Sequence, residues 1–238
     1  APAEAVARAD MPELERYILH RLAELDAVLR QAVNDFDYNS YVRALTDFAQ
    51  DDLSAFFFDI RKDCLYCDVG PAQPLGTAAR RACRTVLDTL FHALVRYAAP
   101  VLVFTAEEVW GTRFPDGGSV HLLEWPQVGD GLHDAALAER WGAIRAARAA
   151  ITEAIEPLRR EKVVRSSLEA AIAMPAVPGV AAEEMAEIAI VASVSYGGDA
   201  VTVRPTGHHK CGRCWRLLPE VPQDGGLCER CDTVLGAA

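Results

Sequence analysis

The sequence predicts a mainly helical protein: an antiparallel helix bundle, then a small α+β unit, then a four-cysteine module. Three observations lead to this prediction. Apolar residues recur at steps of three and four through the first part of the chain, as in amphipathic helices. Beyond residue 165, short apolar runs of strand length replace that pattern. Two Cys-x-x-Cys pairs then occupy a tail with too little apolar content for a core of its own.

The bundle begins with two long helices. Asp10 and Pro12 suit the start of the first, and apolar residues at steps of three and four place one face of residues 14–29 inward. The second is expected to begin near Asp37 or Asn39. Its predicted buried face consists of Val42, Leu45, Phe48, Ala49, Leu53, Phe56 and Ile60.

Two further helices complete the predicted bundle. The Gly- and Pro-rich residues 69–76 predict a loop, after which a third helix turns the apolar residues of 86–95 inward. Pro100 breaks or kinks that helix, because proline lacks an N–H and clashes with the preceding turn. A short helix follows at residues 105–110.

Residues 114–131 are rich in Gly, Pro and Asp and mark a boundary. Three domains are therefore expected, at residues 1–130, 131–206 and 207–238. The middle domain is predicted to open with a helix at residues 134–162 that Pro157 kinks or splits. The other predicted elements are strands at residues 168–174, 188–194 and 200–203 and a helix at residues 181–187.

The tail carries a metal-binding pattern. Cys211 and Cys214 are followed, after 13 intervening residues, by Cys228 and Cys231. Two such pairs place four thiolates at the corners of a tetrahedron, which suits one Zn²⁺ ion in a closed and therefore structural site. We expect Gly212 to ease the first turn by tolerating a positive φ. Two disulfides are the alternative arrangement.

Charge is distributed unevenly along the chain. The formal net charge of −10 argues against a nucleic-acid binder, since phosphate contacts need Lys and Arg. Residues 1–70 hold 14 acids and 7 bases, but residues 140–165, which include Arg159 and Arg160, hold 7 bases and 3 acids. A polyanion could dock on the basic part, although ordinary solvated helix faces would look the same.

Trp215 directly follows the second cysteine of the tail, between Arg213 and Arg216 and close to Lys210. An aromatic ring beside cations is typical of single-stranded RNA recognition, in which bases stack on the ring and phosphates contact the cations. The alternative is that Trp215 packs the tail onto the preceding domain.

Other features exclude more than they suggest. We find no constellation of catalytic residues, and no apolar run long enough to span a membrane. Without a secretory signal, a reducing cytoplasm is expected. Cys64 and Cys67 form a further Cys-x-x-Cys pair that is open to a redox role, but their aromatic surroundings favour buried, inert thiols.

Five segments, in order, resemble bacterial-type isoleucine–tRNA synthetases. They are DDLSAFFFDIRKDCLYC (51–67), APVLVFTAEEVW (99–110), SVHL with a later Trp-Pro (119–122 and 125–126), SSLEA (166–170) and CGRCW (211–215). The family's His-Ile-Gly-His and Lys-Met-Ser-Lys-Ser signatures are absent from these residues, and Cys64 stands where the family would have Arg.

The resemblance implies the C-terminal part of such an enzyme, which binds tRNA(Ile) and contains no catalytic residues. Its implied partners are tRNA(Ile) and the enzyme's catalytic core, without a membrane, in a monomer. Its implied tRNA-contacting residues are Trp215, Arg213, Arg216, Lys210, Arg159 and Arg160. Other possibilities are the same region of a valine or leucine synthetase, a zinc-ribbon module that binds a protein, a DNA glycosylase of the formamidopyrimidine type and a redox protein.

Overall fold

A computed structural model describes residues 4–128 and 130–236. The helices are α1 (Glu13–Asn34), α2 (Tyr38–Asp47), a π-helix (Phe48–Phe58), α3 (Asp59–Cys67), α4 (Ala78–Ala98), α5 (Val103–Arg113), α6 (Ala135–Arg160), α7 (Ala182–Ala189) and α8 (Glu229–Leu235). The strands are β1 (Ala170–Met174), β2 (Ser193–Tyr196), β3 (Thr202–Pro205), β4 (His209–Lys210) and β5 (Leu217–Leu218). The predicted mainly helical fold class is confirmed.

The chain divides into two compact units. One comprises Ala1–Arg61 and Ala78–Ala135, and the other comprises Lys62–Thr77 and Ala136–Ala238. The sequence places residues 62–77 in its first domain, whereas the structure groups them with the second unit. Contacts between these residues and the cysteine tail, described below, account for the difference. The three-domain division itself remains a prediction.

The first unit is held by a core of helix-borne side chains. Ile18, Leu22 and Leu29 of α1 are fully buried, as is Phe57 of the π-helix. Asp37 caps α2 as expected, because its carboxylate accepts a hydrogen bond from the Ser40 N–H.

The second predicted helix contains an irregularity that its sequence pattern conceals. An 11-residue π-helix joins α2 to α3. A π-helix has more residues per turn than an α-helix. A face calculated at 3.6 residues per turn therefore drifts along this helix. Phe48 and Leu53 are buried as predicted, but Val42 and Ala49 are exposed, so those two assignments are wrong.

An ion pair is buried in the same unit. Arg61 donates two hydrogen bonds to the carboxylate of Glu15, at 2.7 Å from Nε and 2.8 Å from Nη2. Glu15 is fully buried and Arg61 is 8% exposed. Both charges are thereby compensated, as burial of ionised groups requires.

In the second unit, β1 lies between β2 and β3, parallel to β2 and antiparallel to β3. Helix α7 supplies the crossover that parallel strands need. The predicted strand at residues 188–194 is wrong in its first half. Ile188 and Ala189 end α7, Ile190 caps it in a left-handed conformation, and the strand begins at Ser193. A buried apolar run has the same composition in a helix and in a strand, so its pattern could not separate the two.

Helix α6 runs through Pro157 as one helix, so the predicted split does not occur. The carbonyl that the proline leaves without its usual partner belongs to Glu153, which is exposed and can be hydrated. Arg140 donates to the Gly179 carbonyl at 2.7 Å, and Arg148 donates to the Ile188 carbonyl at 3.0 Å. Part of the predicted basic stretch thus serves contacts inside the unit.

Candidate metal centre and nucleic-acid interface

The four cysteines of the tail converge on one point. Their sulfur atoms all lie within 4.8 Å of one another, and the Cys214 and Cys228 sulfurs are 3.8 Å apart. Sulfurs about 2.3 Å from a tetrahedral ion stand about 3.8 Å apart, whereas disulfide sulfurs stand about 2.05 Å apart. No disulfide joins these four described residues. The predicted convergence is confirmed, and the cysteines could hold a metal ion.

Backbone hydrogen bonds place the first cysteine pair. The Cys211 N–H donates to the Arg216 carbonyl at 2.9 Å, and the Gly212 N–H donates to the Gly226 carbonyl at 2.9 Å. A Cβ atom on Gly212 would lie 2.5 Å from the Gly225 carbonyl oxygen, so glycine is required by close packing. The expected positive φ at Gly212 is wrong: the residue with a positive φ directly after the first cysteine pair is Trp215, and Gly225, which also has a positive φ, lies in the loop that faces Gly212.

The surroundings of the thiols favour ionisation at one ligand. Burial opposes ionisation of Cys211, but the backbone N–H groups of Arg213, Cys214 and Cys228 offset this and lower the pKa of Cys211 to about 6. Burial raises the pKa of Cys214 and of Cys228. Cys211 therefore loses its proton more readily than Cys214 and Cys228, and metal binding requires deprotonation of the ligands.

Trp215, the one Trp, Tyr or Phe in residues 207–238, has an exposed side chain. It is 62% exposed, and its φ of +66° places it in the left-handed region that bulky residues rarely adopt. The ammonium group of Lys210 lies 5.2 Å from the centroid of the indole ring, within the range of a cation–π interaction. The structure therefore presents a ring and a cation together at the surface.

The other predicted tRNA-contacting residues lie in different surroundings. Arg216 is half-buried in the tail. Arg159 and Arg160 end α6, and both guanidinium groups lie near the Glu156 carboxylate, at 3.7 and 3.4 Å. Arg213 donates to the backbone carbonyls of Cys67 and Val69, the latter at 2.7 Å. Its guanidinium thus serves an internal contact.

Two of the sequence motifs in the first unit contact each other. The Glu107 carboxylate accepts hydrogen bonds from the Ser119 hydroxyl at 2.9 Å and from the Val120 N–H at 3.0 Å. The ring of His121 hydrogen-bonds with the Val103 carbonyl at 3.2 Å. Helix α5, which carries the threonine–alanine–glutamate–glutamate motif, thus fixes the loop that follows it.

The tryptophan–proline motif closes the same unit. The Trp125 indole N–H donates to the Asp26 carboxylate at 2.7 Å, and the Tyr97 hydroxyl donates to the same oxygen at 2.5 Å.

Residues 15–174 match the family described as the anticodon-binding domain of tRNA ligase.

The chain belongs to this family of anticodon-binding domains.

Relatives of this anticodon-binding domain cover the cysteine tail as well. The chain is 58% identical over 98% of its length to an isoleucine–tRNA ligase of Zymomonas mobilis. It is 43% identical over 99% of its length to that of Gluconobacter oxydans, and 40% identical over 93% of its length to that of Agrobacterium fabrum. The chain spans about a quarter of these relatives, namely 26%, 26% and 24% of their lengths.

Cys64 and Cys67 are buried, as the inert-thiol interpretation predicted. Burial, with the nearby Asp63 charge, raises the pKa of Cys67 to about 11, which opposes redox reactivity. Cys67 packs against the four-cysteine cluster, a proximity that its distance in sequence conceals. Among the described helices, none combines the length and apolar character that crossing a membrane requires.

Proposed function

We propose that this chain is the C-terminal, tRNA-binding part of an isoleucine–tRNA ligase. The observation that carries the proposal is the 58% identity to the Zymomonas mobilis ligase, which extends over 98% of the chain and so includes bundle and tail alike. In this proposal the catalytic core of the same enzyme attaches isoleucine to tRNA(Ile) with ATP, in the cytoplasm and as a monomer. The part of the enzyme that this chain represents binds tRNA and carries out no chemical step.

Cys211, Cys214, Cys228 and Cys231 hold one Zn²⁺ ion. Four thiolate ligands satisfy its tetrahedral coordination, so the ion stabilises the fold and leaves no position for a substrate. A tail of this size depends on such a bond for its folding free energy. With the metal bound, the turn that carries Trp215 becomes rigid.

Trp215 then provides a surface on which an unstacked anticodon base lies. Its left-handed backbone supports this role, because strain of this kind concentrates at functional sites. Lys210 and Arg216 neutralise phosphates beside the ring, and Arg159 and Arg160 extend the contact along α6. Stacking on an aromatic ring contributes about 1–3 kcal/mol per base.

The tail also favours the assignment of tRNA(Ile), and not tRNA(Val) or tRNA(Leu), as the RNA that this chain binds. The bundle motifs also resemble those of valine and leucine synthetases. The four-cysteine tail with its tryptophan resembles the isoleucine enzyme. Because stacking tolerates any base, Trp215 strengthens binding, and the preference for the isoleucine anticodon comes from polar contacts that its neighbours make with the bases.

A gel-shift titration of the metal-loaded protein with tRNA(Ile) and tRNA(Val) at one stated salt concentration tests this proposal. Tighter binding of tRNA(Ile) is expected, with an affinity that falls as salt rises. Equal affinity for the two tRNAs would contradict the assignment to isoleucine. Absence of binding to either tRNA would contradict an RNA-binding role for the chain.

A further inference from the structure

The two Cys-x-x-Cys turns share a feature outside the metal site. Each places an arginine directly before its second cysteine, Arg213 before Cys214 and Arg230 before Cys231. Both guanidinium groups reach the stretch Lys62–Thr77, and the Arg213 Nη1 also donates to the Cys231 sulfur at 3.7 Å. This stretch lies inside the family match at residues 15–174, whereas all four cysteines lie beyond it.

Arg213 contacts the end of α3. Its Nη1 donates to the carbonyl of Cys67, the last residue of α3, and its Nη2 donates to the Val69 carbonyl at 2.7 Å. Carbonyl groups at the end of a helix have no partner within the helix. The guanidinium therefore satisfies groups that would otherwise need water.

Arg230 contacts two carboxylates on the same stretch. It donates to both oxygens of Asp63, at 2.6 Å from Nη1 and 2.9 Å from Nη2, and its Nη1 lies 3.1 Å from Asp68 Oδ1. A bidentate arginine–carboxylate contact is strong and geometrically specific. Asp68 in turn accepts a hydrogen bond from the Thr77 hydroxyl at 2.8 Å, which joins the two ends of the loop.

The loop backbone adds a third contact with the tail. The Ala72 N–H donates to the Val234 carbonyl at 3.2 Å. A Cβ atom on Gly70 would lie 2.6 Å from that carbonyl oxygen, so a larger residue would displace the loop from α8. The close fit shows that Lys62–Thr77 and the tail are shaped to each other.

We propose that the tail and Lys62–Thr77 form one metal-dependent clamp, in which Arg213 and Arg230 are positioning residues. The clamp rests on the zinc site of the proposed function. Each arginine directly precedes a cysteine ligand in the chain. Metal coordination by that cysteine therefore fixes the backbone from which the arginine side chain extends. Loss of the metal releases both arginines, and the α3 end and the following loop lose their partners. The metal thus orders a segment of the anticodon-binding domain that contributes no ligand to it.

Hydrogen exchange on the intact protein tests the clamp, with metal content measured in parallel. Removal of the metal by a chelator is expected to raise amide exchange in residues 66–77 by at least about tenfold, and added Zn²⁺ should reverse it. Unchanged exchange in residues 66–77, while exchange in the tail rises, would overturn the clamp and leave the zinc site intact. Wild-type protein that contains no metal would overturn both proposals.

Two variants separate the arginine contacts from the metal. Arg230→Met and Asp63→Asn leave all four cysteines in place, and each is expected to retain one zinc ion while residues 66–77 exchange faster. Arg204→Met, which removes an exposed arginine of β3, is the matched control and should exchange as the wild type does. Wild-type exchange in both Arg230→Met and Asp63→Asn would overturn the clamp.

Discussion

Arg61 and Glu15 form a two-point ion pair in the first unit, with nitrogen–oxygen distances of 2.7 and 2.8 Å and a fully buried carboxylate. Removal of one partner leaves the other charge buried without compensation. We expect Arg61→Met to lower the free energy of unfolding by about 3–5 kcal/mol in a urea titration.

A double variant controls for this result. Replacement of both charges by apolar residues, as in Glu15→Leu with Arg61→Met, should recover much of the stability that the single variant loses. Arg43→Met removes an exposed arginine and should change little. A double variant no more stable than Arg61→Met alone would show that shape, and not charge, determines the loss.

Trp215 gives a prediction in which stability and binding change in opposite directions. Glycine adopts a left-handed φ without strain, so Trp215→Gly should raise the stability of the tail by about 1 kcal/mol. The same change removes the stacking ring, and affinity for tRNA(Ile) should fall about tenfold or more. Thermal unfolding and gel-shift titration measure the two effects.

Trp215→Phe is the matched control, because it retains a ring on the strained backbone. It should bind tRNA with an affinity near that of the wild type, and both variants should keep one zinc ion. If Trp215→Gly bound tRNA normally with its zinc intact, Trp215 would have no stacking role.

Glu107 and its neighbour Glu108 offer a comparison within one motif. Glu107 accepts hydrogen bonds from Ser119 and Val120, and both glutamates are exposed. A typical intramolecular hydrogen bond contributes about 1 kcal/mol net to the free energy of unfolding. Glu107→Ala, which removes the accepting oxygens, should therefore lower the free energy of unfolding by about 1 kcal/mol, and Glu108→Ala should not. Equal effects in chemical denaturation would contradict the role of Glu107 as the partner of the loop.

Alkaline pH should destabilise the first unit. Burial raises the pKa of Tyr41 from 10.0 to about 12 and that of Cys83 from 9.0 to about 12. Each group thus binds its proton more tightly in the folded protein, so its contribution to stability is complete below its unfolded pKa. That contribution is lost as pH rises toward 12.

The free energy of unfolding should accordingly begin to fall near pH 9 and fall more steeply above pH 10. Denaturant titrations across this range measure it. Tyr41→Phe removes one of the two groups and should give a shallower decline. A decline as steep in Tyr41→Phe as in the wild type would show that Tyr41 does not contribute to the pH dependence.

The comparison of sequence with structure separates local from distant determinants. The cysteine site and the capping of α2 by Asp37 could be predicted, because the first depends on two recognisable Cys-x-x-Cys pairs and the second on residues three positions apart. The π-helix could not be predicted, because the apolar residues of Phe48–Phe58 are compatible with an α-helical period.

The clamp on Lys62–Thr77 could not be predicted either. The sequence pattern assigned Arg213 to RNA and gave Arg230 no role. Their partners Cys67, Val69 and Asp63 lie between 144 and 167 residues earlier in the chain. A charge pattern does not show which cations are already engaged by distant carbonyls and carboxylates.

X-ray absorption at the zinc edge of the natively prepared protein tests the central claim most directly. Four sulfur ligands at about 2.3 Å around one zinc ion per chain are expected. A zinc-free protein whose tail is nonetheless ordered, or a metal bound by fewer than four sulfurs, would contradict the claim that this metal shapes the surface carrying Trp215.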